Sequence, residues 1–382
     1  MRSLIIASFL LCFVINIDIT LGSRDVLLRS ESTKVSTVNF TAACINFPCK
    51  TTKELFKSSG RYIITNNIAT RLQMYKDCAY VAFQRYKPGV PMTLGVTCKT
   101  TSCGAVFDPF PCWTYQEVGN CDALQSVSDM VIDKNGIMWA LDSGITESMT
   151  EPTRRCKPKI FVMNVNTKKV LRIINLDKLT VSNSRLQYLK VDYTRDGRCF
   201  VYVSDAATRS IIVYDVQAKR GYRLVLPKTV VQGCSKRDVL YLALITCNGK
   251  TKLYFTYLSA KKVYSIDAEH LHRGNTKGRI VEVGTKPEDM IWVGDDGCYI
   301  YFRYAAKSDV YRYDTSTCFK PNNFLLVFGS EAGLLTTHVA PDHQRNKMRA
   351  LQSNFHDFIR NEVGCGVKHQ ISDIQGCYVQ PN

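Results

Sequence analysis

The stretch that decides the fold is Phe200-Val-Tyr-Val-Ser-Asp205 followed, after a short polar turn, by Ser210-Ile-Ile-Val-Tyr-Asp215. Both halves are rich in β-branched and aromatic residues, so together they predict two neighbouring strands joined by a tight turn. The same arrangement recurs at residues 253–258 with 262–267, and at residues 299–304 with 309–314. The chain therefore contains a repeated strand–turn–strand unit.

The repeat has a period of about fifty residues. The residues that close its second strand, Asn164, Asp215, Asp267 and Asp314, lie 51, 52 and 47 residues apart in turn. A second marker runs in step with the first, because an Asn-Gly or Asp-Gly pair precedes an apolar strand at residues 135–136, 196–197, 248–249 and 296–297. Weaker units around residues 75–77 and 342–349 bring the predicted number of units to six.

A period of this length, filled with strands, is typical of β-propeller blades. We therefore predict an all-β, disulfide-bonded, six-bladed propeller of four-stranded blades. We expect a signal peptide at residues 1–22, an N-terminal segment at 23–60, and the propeller with a C-terminal closing segment at 61–382. Cysteines near the start of the chain, together with Cys365 and Cys377 near its end, predict that disulfides fasten the terminal region.

The first residues resemble a secretory signal. Arg2 precedes an apolar run over residues 4–17, and small residues follow, with the predicted cleavage after Gly22. Because no later stretch is apolar enough to span a bilayer, we expect a secreted, extracellular protein without a transmembrane segment.

Cysteine usage predicts disulfides and no metal. Of 16 cysteines, Cys12 would leave with the signal, so an odd number remains and at least one thiol has no partner within the chain. The cysteines are concentrated between Cys44 and Cys121, where we expect most of the pairing. The spacings of Cys44 with Cys49 and of Cys98 with Cys103 do not match a zinc site, and no cofactor is predicted.

The charge balance favours anionic partners. Lys and Arg number 50 against 33 Asp and Glu, giving a net charge of +17. Secretion argues against nucleic acid as that partner. The densest basic run, residues 154–159, is interpreted either as a solvated loop or as a binding patch. Asn39 begins the one acceptor sequon for N-glycosylation.

One motif carries a family resemblance. Residues 128–144 read Ser-Asp-Met-Val-Ile-Asp-Lys-Asn-Gly-Ile-Met-Trp-Ala-Leu-Asp-Ser-Gly. This segment resembles the most recognisable motif of the insect yellow and major royal jelly protein family. Matching segments follow in order at residues 156–160, 201–205, 212–215 and 253–259, and at a late Asn354-Phe355 pair, so the resemblance covers about residues 62–359. Lys157, residues 256–257 and the excess of cysteine depart from the family pattern and resemble the yellow-g branch, which is associated with the insect eggshell.

The resemblance implies two classes of function. The first is a non-enzymatic structural protein of an eggshell, vitelline membrane or cuticle, whose partners would be extracellular-matrix or eggshell proteins, a yellow-family paralogue among them. The second is a small-molecule function, because some family members bind biogenic amines and others are credited with dopachrome conversion of the isomerase type. Asn354 and Phe355 are the positions carried over for binding an aromatic amine. If the protein is an enzyme, Asp142 is the candidate acid or base.

Other residue types give weaker signals. Ser143 lacks the Gly-x-Ser-x-Gly frame of a nucleophile elbow. The six histidines are predicted to lie on the surface, with His270 and His272 on one strand. Seven tyrosines occupy regular blade positions, where they either reflect strand propensity or serve as oxidative cross-linking sites: Tyr202, Tyr214, Tyr254, Tyr264, Tyr301, Tyr311 and Tyr313.

Overall fold

The computed structural model describes residues 37–41, 45–98, 100–101, 104–234, 238–330 and 333–374. The predicted signal peptide and three cysteines, Cys44, Cys103 and Cys377, lie outside these ranges. Within them, no helix has the length and apolar character needed to cross a membrane.

The N-terminal part contributes one strand and one helix before the first blade. Strand β1 spans Val38–Thr41 and helix α1 spans Lys50–Ser58, followed by a 3₁₀ turn at Ile64–Asn66. The Cys49 side chain caps α1 by accepting a hydrogen bond from the Thr52 amide. Phe56 on α1 packs with Phe47 and Trp113, which fixes the helix against the first blade.

Blade 1 is less regular than the others. Its four strands, in order, are β2 (Ala69–Tyr75), β3 (Cys78–Phe83), β4 (Leu94–Thr97) and β7 (Asp108–Pro109), and a two-stranded ribbon of β5 (Thr100–Thr101) and β6 (Gly104–Ala105) interrupts them. A 3₁₀ turn at Trp113–Gln116 leads towards blade 2.

Blades 2 to 5 repeat one antiparallel pattern. Blade 2 comprises β8 (Val127–Ile132), β9 (Ile137–Asp142), β12 (Lys159–Asn164) and β13 (Lys169–Asn175), with β10 (Ile145–Thr146) and β11 (Thr153–Arg154) forming a ribbon inserted between its second and third strands. Blade 3 comprises β14 (Leu186–Tyr193), β15 (Cys199–Asp205), β16 (Ser210–Asp215) and β17 (Arg220–Val225). Blade 4 comprises β18 (Leu240–Cys247), β19 (Lys250–Tyr257), β20 (Lys262–Asp267) and β21 (Val281–Thr285). Blade 5 comprises β22 (Met290–Asp295), β23 (Tyr299–Tyr304), β24 (Val310–Asp314) and β25 (Phe324–Phe328). Helix α2 (Ala268–Arg273) and 3₁₀ turns at Asp177–Leu179 and Pro321–Asn323 lie in the connections.

Blade 6 closes the ring with a strand from the other end of the chain. It consists of β26 (Leu335–Asp342), β27 (Lys347–Ser353) and β28 (Lys368–Ile374), with β1 as its outermost strand, and helix α3 (Phe355–Arg360) precedes β28. Val38 pairs with Ile371 and Thr41 with Lys368. The first strands of all six blades contact one another in sequence around the ring, and β2 meets β26 to complete it. Backbone pairing therefore closes the propeller in the described residues, where Cys365 is a free, exposed thiol.

The predicted repeat is confirmed strand by strand. Asn164, Asp215, Asp267 and Asp314 each end the third strand of their blade. The Asn-Gly and Asp-Gly pairs all lie in the turn between the first and second strands, where the glycines have positive φ angles, for example 75° at Gly136. The two weaker units are the corresponding turns of blades 1 and 6.

Packing between neighbouring blades supplies the core. The second strand of a blade is sandwiched on both sides, and all seven residues of β15 are buried. One cluster joins blade 3, through Tyr202 and Val213, to blade 4, through Leu242 and Phe255. The outermost strands are mostly exposed, so each blade buries its apolar faces only because another blade stacks on it.

Two disulfides join described cysteines, Cys78 with Cys98 and Cys121 with Cys156. Eight further cysteines in this part of the chain are free. Fewer described cysteines are therefore paired than the sequence predicts, and one of the two bonds lies within the expected segment, while the other links its end to blade 2.

Candidate functional site

Charged side chains from the inner strands face one another in the central channel. Arg71 on β2 donates through Nε to Oδ1 of Asp129 on β8 at 3.0 Å, and Oδ2 of Asp129 accepts the amide of Leu189 on β14 at 2.8 Å. The two side chains are only 12% and 5% exposed. One carboxylate thus links three consecutive blades.

A second buried pair crosses the channel. Lys190 on β14 donates to Asp295 on β22, and these strands belong to blades 3 and 5, which are not neighbours. Burial raises the pKa of Asp295, while the nearby Lys190 ammonium lowers it. His338 on β26 lies near the same charges, and burial together with Arg71 and Lys190 holds its pKa well below the usual range. Neutral His338 accepts the Leu72 amide through Nδ1 at 3.3 Å.

An aromatic wall stands at the beginnings of the inner strands of blades 3 to 5. The Arg71 guanidinium carbon lies 4.8 Å from the centre of the Tyr188 ring. Tyr188 contacts Tyr241 at 5.3 Å between ring centres, and Tyr241 lies 6.3 Å from Trp292. Within the described part of the chain, Trp292 Nε1 is buried without a hydrogen-bond partner. Aromatic rings next to a carboxylate are the groups that an aromatic amine requires.

Asp142 holds a loop together. Its fully buried carboxylate accepts the amides of Gln125, Ser126 and Gly144 at 2.8 to 3.0 Å. Burial raises the pKa of Asp142, while the three amides and Lys159 lower it. Beside this loop, the buried Arg85 guanidinium donates to the main-chain carbonyls of Val90, Gln116 and Leu124. An acid or base role for Asp142 remains a prediction.

Asn354 and Phe355 lie where blade 6 meets helix α3. Asn354 is 5% exposed, and its Oδ1 accepts the Lys368 amide at 2.9 Å. The Phe355 ring packs on Phe358 at 6.1 Å and on Tyr86 at 6.3 Å between ring centres. The side-chain oxygen of Asn354 is thus engaged by the backbone, and Phe355 is half-buried among aromatic rings. The part of these two residues in ligand binding stays a prediction.

The densest basic run borders a cavity of about 610 Å³. The Cys121–Cys156 disulfide forms part of its wall, together with Arg154, Arg155 and Lys159. Acidic groups pair with several of these cations: Lys157 meets Asp177 at 2.6 Å and Arg155 meets Glu147 at 3.3 Å. Arg154, Arg155 and Lys157 are exposed, Lys159 is buried, and two of the exposed cations are paired with acidic groups.

Three histidines differ from the prediction that histidines lie on the surface. His338 and His369 are buried, and burial lowers the pKa of His369 to about 3. His270 and His272 both lie on helix α2 instead of a strand. His272 stacks on Phe200 at 4.2 Å and hydrogen-bonds Asp192 at 2.8 Å. Strand periodicity gives no indication of these pairings. Among the described residues, no group of three or more His, Cys, Asp or Glu side chains is arranged to hold a metal ion.

The repeated tyrosines mostly belong to the core. Two of the seven, Tyr214 and Tyr311, are half-buried. The other five are 7% exposed or less: Tyr202, Tyr254, Tyr264, Tyr301 and Tyr313. Tyr193 is 48% exposed, and its hydroxyl donates to Asp133 at 2.6 Å. Strand propensity and packing therefore account for the repeated positions.

Asn39 is exposed on β1, the outer edge of blade 6, so the glycosylation sequon is accessible. Glycosylation itself remains a prediction.

Comparisons of the sequence with a family model and with curated proteins agree on one family. The family model described as major royal jelly protein matches residues 125–377. Major royal jelly protein 1 of Apis mellifera is 30% identical over 165 residues, which cover 41% of this chain and 37% of that protein. Major royal jelly protein 7 of the same species is 27% identical over 231 residues, which cover 55% of this chain and 50% of that protein. The chain thus spans half or less of the length of these relatives.

Solved structures give more distant similarities. Regucalcin of Agrobacterium tumefaciens, a calcium-binding protein, is 12% identical with a TM-score of 0.47, over 82% of this chain and 93% of that one.

Proposed function

The chain belongs to the major royal jelly protein family, and we propose that it is a secreted, non-enzymatic structural or assembly protein of an insect extracellular coat. The coat would be an eggshell with its vitelline membrane, or a cuticle. The partners would be other coat proteins, including a paralogue of the same family.

Exposed thiols are the observation that carries this proposal. Cys49, Cys112, Cys318 and Cys365 are free and exposed on the described surface. In an oxidising compartment such thiols exchange with disulfides of other chains. A propeller with several of them could be coupled covalently to more than one neighbour, as a coat component requires.

Charge and site geometry support the same function. The net charge of +17 favours association with acidic matrix components. The carboxylate of Asp142 is engaged by three main-chain amides. That engagement favours assembly over acid–base catalysis at this residue.

Extraction from the mature coat tests the proposal. The full chain would be expressed in the coat-secreting tissue beside a variant in which the four exposed cysteines are serine, with Cys234→Ser as a control at a partly buried thiol. We expect wild type and control to need a reductant for extraction in urea, whereas the fourfold variant is extracted without one. Equal extraction of all three proteins without reductant would overturn the proposal.

The aromatic wall of the channel favours a second candidate, extracellular binding of a biogenic amine. Tyr188 and Tyr241 would contact the ring of the amine, and Asp129 would face its ammonium group. Calorimetry with serotonin and with dopamine tests this, because Tyr241→Ala should then abolish binding. Phe355→Ala in the same titration tests the position carried over from the resemblance.

Dopachrome conversion is tested in parallel. Saturable turnover by the wild-type protein that disappears in Asp142→Asn, while the variant stays folded, would replace the coat proposal with an enzyme.

A further inference from the structure

The seam between blades 4 and 5 brings two series of side chains face to face. Successive side chains of a strand alternate between its two faces. Tyr241, Ala243 and Ile245 on β18 pack in one hydrophobic cluster with Ile300 and Phe302 on β23. These residues, two apart along each strand, define the faces that meet at the seam.

Two cysteines continue these series at the same end of the seam. Cys247 is the last residue of β18, two beyond Ile245, and it packs against the same cluster. Cys298 stands two residues before Ile300 and immediately before β23 begins. They flank equivalent turns, since Asn248-Gly249 follows the first and Asp296-Gly297 precedes the second.

The backbone already joins the two turns. The amide of Thr246 donates to the carbonyl of Gly297 at 2.7 Å, and these residues immediately precede Cys247 and Cys298. That hydrogen bond holds together the main chain next to the two cysteines, as a disulfide requires, because disulfide-bonded cysteines have Cα atoms about 4.4 to 6.8 Å apart. Burial raises the pKa of Cys298, and the charges of Asp296 and Cys247 raise it further.

A small cavity opens at Cys247. It has a volume of about 280 Å³ and is lined by Cys247, Lys250, Tyr254 and Thr315 among others. Thr315, which lines this cavity, donates through its hydroxyl to the Cys298 main-chain carbonyl at 3.4 Å. Among the described cysteines both thiols are free and partly exposed, so a small oxidant can reach them.

We propose that Cys247 and Cys298 are a redox-sensitive pair that forms a disulfide between blades 4 and 5. The oxidant is a low-molecular-weight disulfide: one cysteine thiolate attacks it and releases one small thiol, and the second cysteine thiolate then attacks the mixed disulfide and releases the other. The two cysteines lose two protons and two electrons, and the small disulfide is reduced to two thiols.

The bond would close a loop across the seam. The loop contains β19, β20, β21 and β22, so the rest of blade 4 and the inner strand of blade 5 would be tied together. Cross-linking a loop of about fifty residues restricts the unfolded chain far more than the folded one. The inference goes beyond the proposed coat function and does not depend on it, because an isolated propeller would form the same bond.

Mass mapping of the isolated full chain tests the proposal. The protein would be equilibrated with a mixture of oxidised and reduced glutathione, alkylated while folded, and digested without reduction. We expect a cross-linked peptide pair that contains Cys247 and Cys298. Cys247→Ser and Cys298→Ser should each remove that pair and add one alkylated thiol, whereas Cys234→Ser, beyond the other end of β18, should leave it unchanged.

Thermal unfolding gives a second readout. Each of the two seam variants should unfold about 5 °C below the oxidised wild type. Because a seam variant already lacks the disulfide between Cys247 and Cys298, adding a reductant should not cost it the stabilisation that this bond gives the wild type. The proposal is overturned if both cysteines are alkylated in the oxidised folded wild type, or if either pairs with a different cysteine. Wild-type mapping decides this even if a variant does not fold, and its result is independent of whether the protein is extracted from a coat.

Discussion

Replacing Asp129 with asparagine should destabilise the propeller by about 3 kcal/mol. The change keeps the shape of the side chain but leaves the Arg71 guanidinium buried without its carboxylate. Because both side chains are almost fully buried, solvent does not screen the pair. Removing one partner of a buried ion pair costs about 3 to 5 kcal/mol. The Tyr188 ring at 4.8 Å from the Arg71 guanidinium carbon retains part of the stabilisation, so the lower end is expected.

Urea unfolding of the full chain measures this cost. The denaturation midpoint should fall while the slope stays unchanged, since the variant exposes the same surface on unfolding. The exposed pair of Lys262 and Glu282 is the matched control, because its atoms lie 2.7 Å apart but its side chains are 47% and 46% exposed. Glu282→Gln should therefore cost less than about 1 kcal/mol.

A double substitution separates charge from shape. Arg71→Met combined with Asp129→Leu removes both charges, and the double variant should be more stable than the sum of the single effects predicts. If Asp129→Asn costs no more than the surface control, the ion pair does not join the blades as argued. Additive single effects would lead to the same conclusion.

Three further changes test the histidines, the seams and the ring closure. Burial lowers the pKa of His369 to about 3, so between pH 7 and pH 5 only the unfolded state takes up a proton at this residue. The free energy of unfolding of the wild type should therefore fall by about 2 kcal/mol more than that of His369→Gln over this range. Equal losses for the two proteins in urea titrations would contradict this. Gly294→Ala would place a Cβ 2.1 Å from the Val339 carbonyl oxygen, so it should lower the free energy of unfolding by at least about 1 to 3 kcal/mol. Gly329→Ala, where the nearest atom to the new Cβ lies at 3.9 Å, should change the urea midpoint little. Phe40→Ala, at a site 3% exposed on β1, should cost about 3 to 5 kcal/mol and loosen blade 6 first, which hydrogen exchange of β28 amides would show; uniform loss of protection would speak against closure by β1.

The blades were predictable because their signals are local. Alternation within a strand, an Asn-Gly or Asp-Gly turn, and an aspartate or asparagine at the end of the third strand all lie within one unit, as in residues 200–215. Ring closure was not predictable in this way. Val38 pairs with Ile371 across almost the whole chain, and β1 is a short strand with no turn linking it to its partner. Cysteines near both ends suggested fastening of the termini, but they gave no indication of this backbone pairing.

The site was predictable only where a family motif marks it. Asp142 lies within such a motif, yet its hydrogen-bond partners Gln125 and Ser126 precede the motif. The role of Asp142 in holding this loop is therefore visible only in the folded structure. Arg71 and Asp129 are 58 residues apart in sequence, and Lys190 and Asp295 are 105 apart. Their pairing follows from the ring that brings all inner strands to one axis, so no local pattern indicates it.

The channel geometry bears on the choice between the two proposed functions. An amine that uses Asp129 as its counter-ion has to displace Arg71 from the same carboxylate. Separating that buried pair costs about 3 kcal/mol, which lowers the affinity by about a hundredfold relative to a free carboxylate. The aromatic wall would have to compensate for this loss with ring contacts alone. The exposed thiols face no such competition, and for that reason the coat function is the better supported of the two.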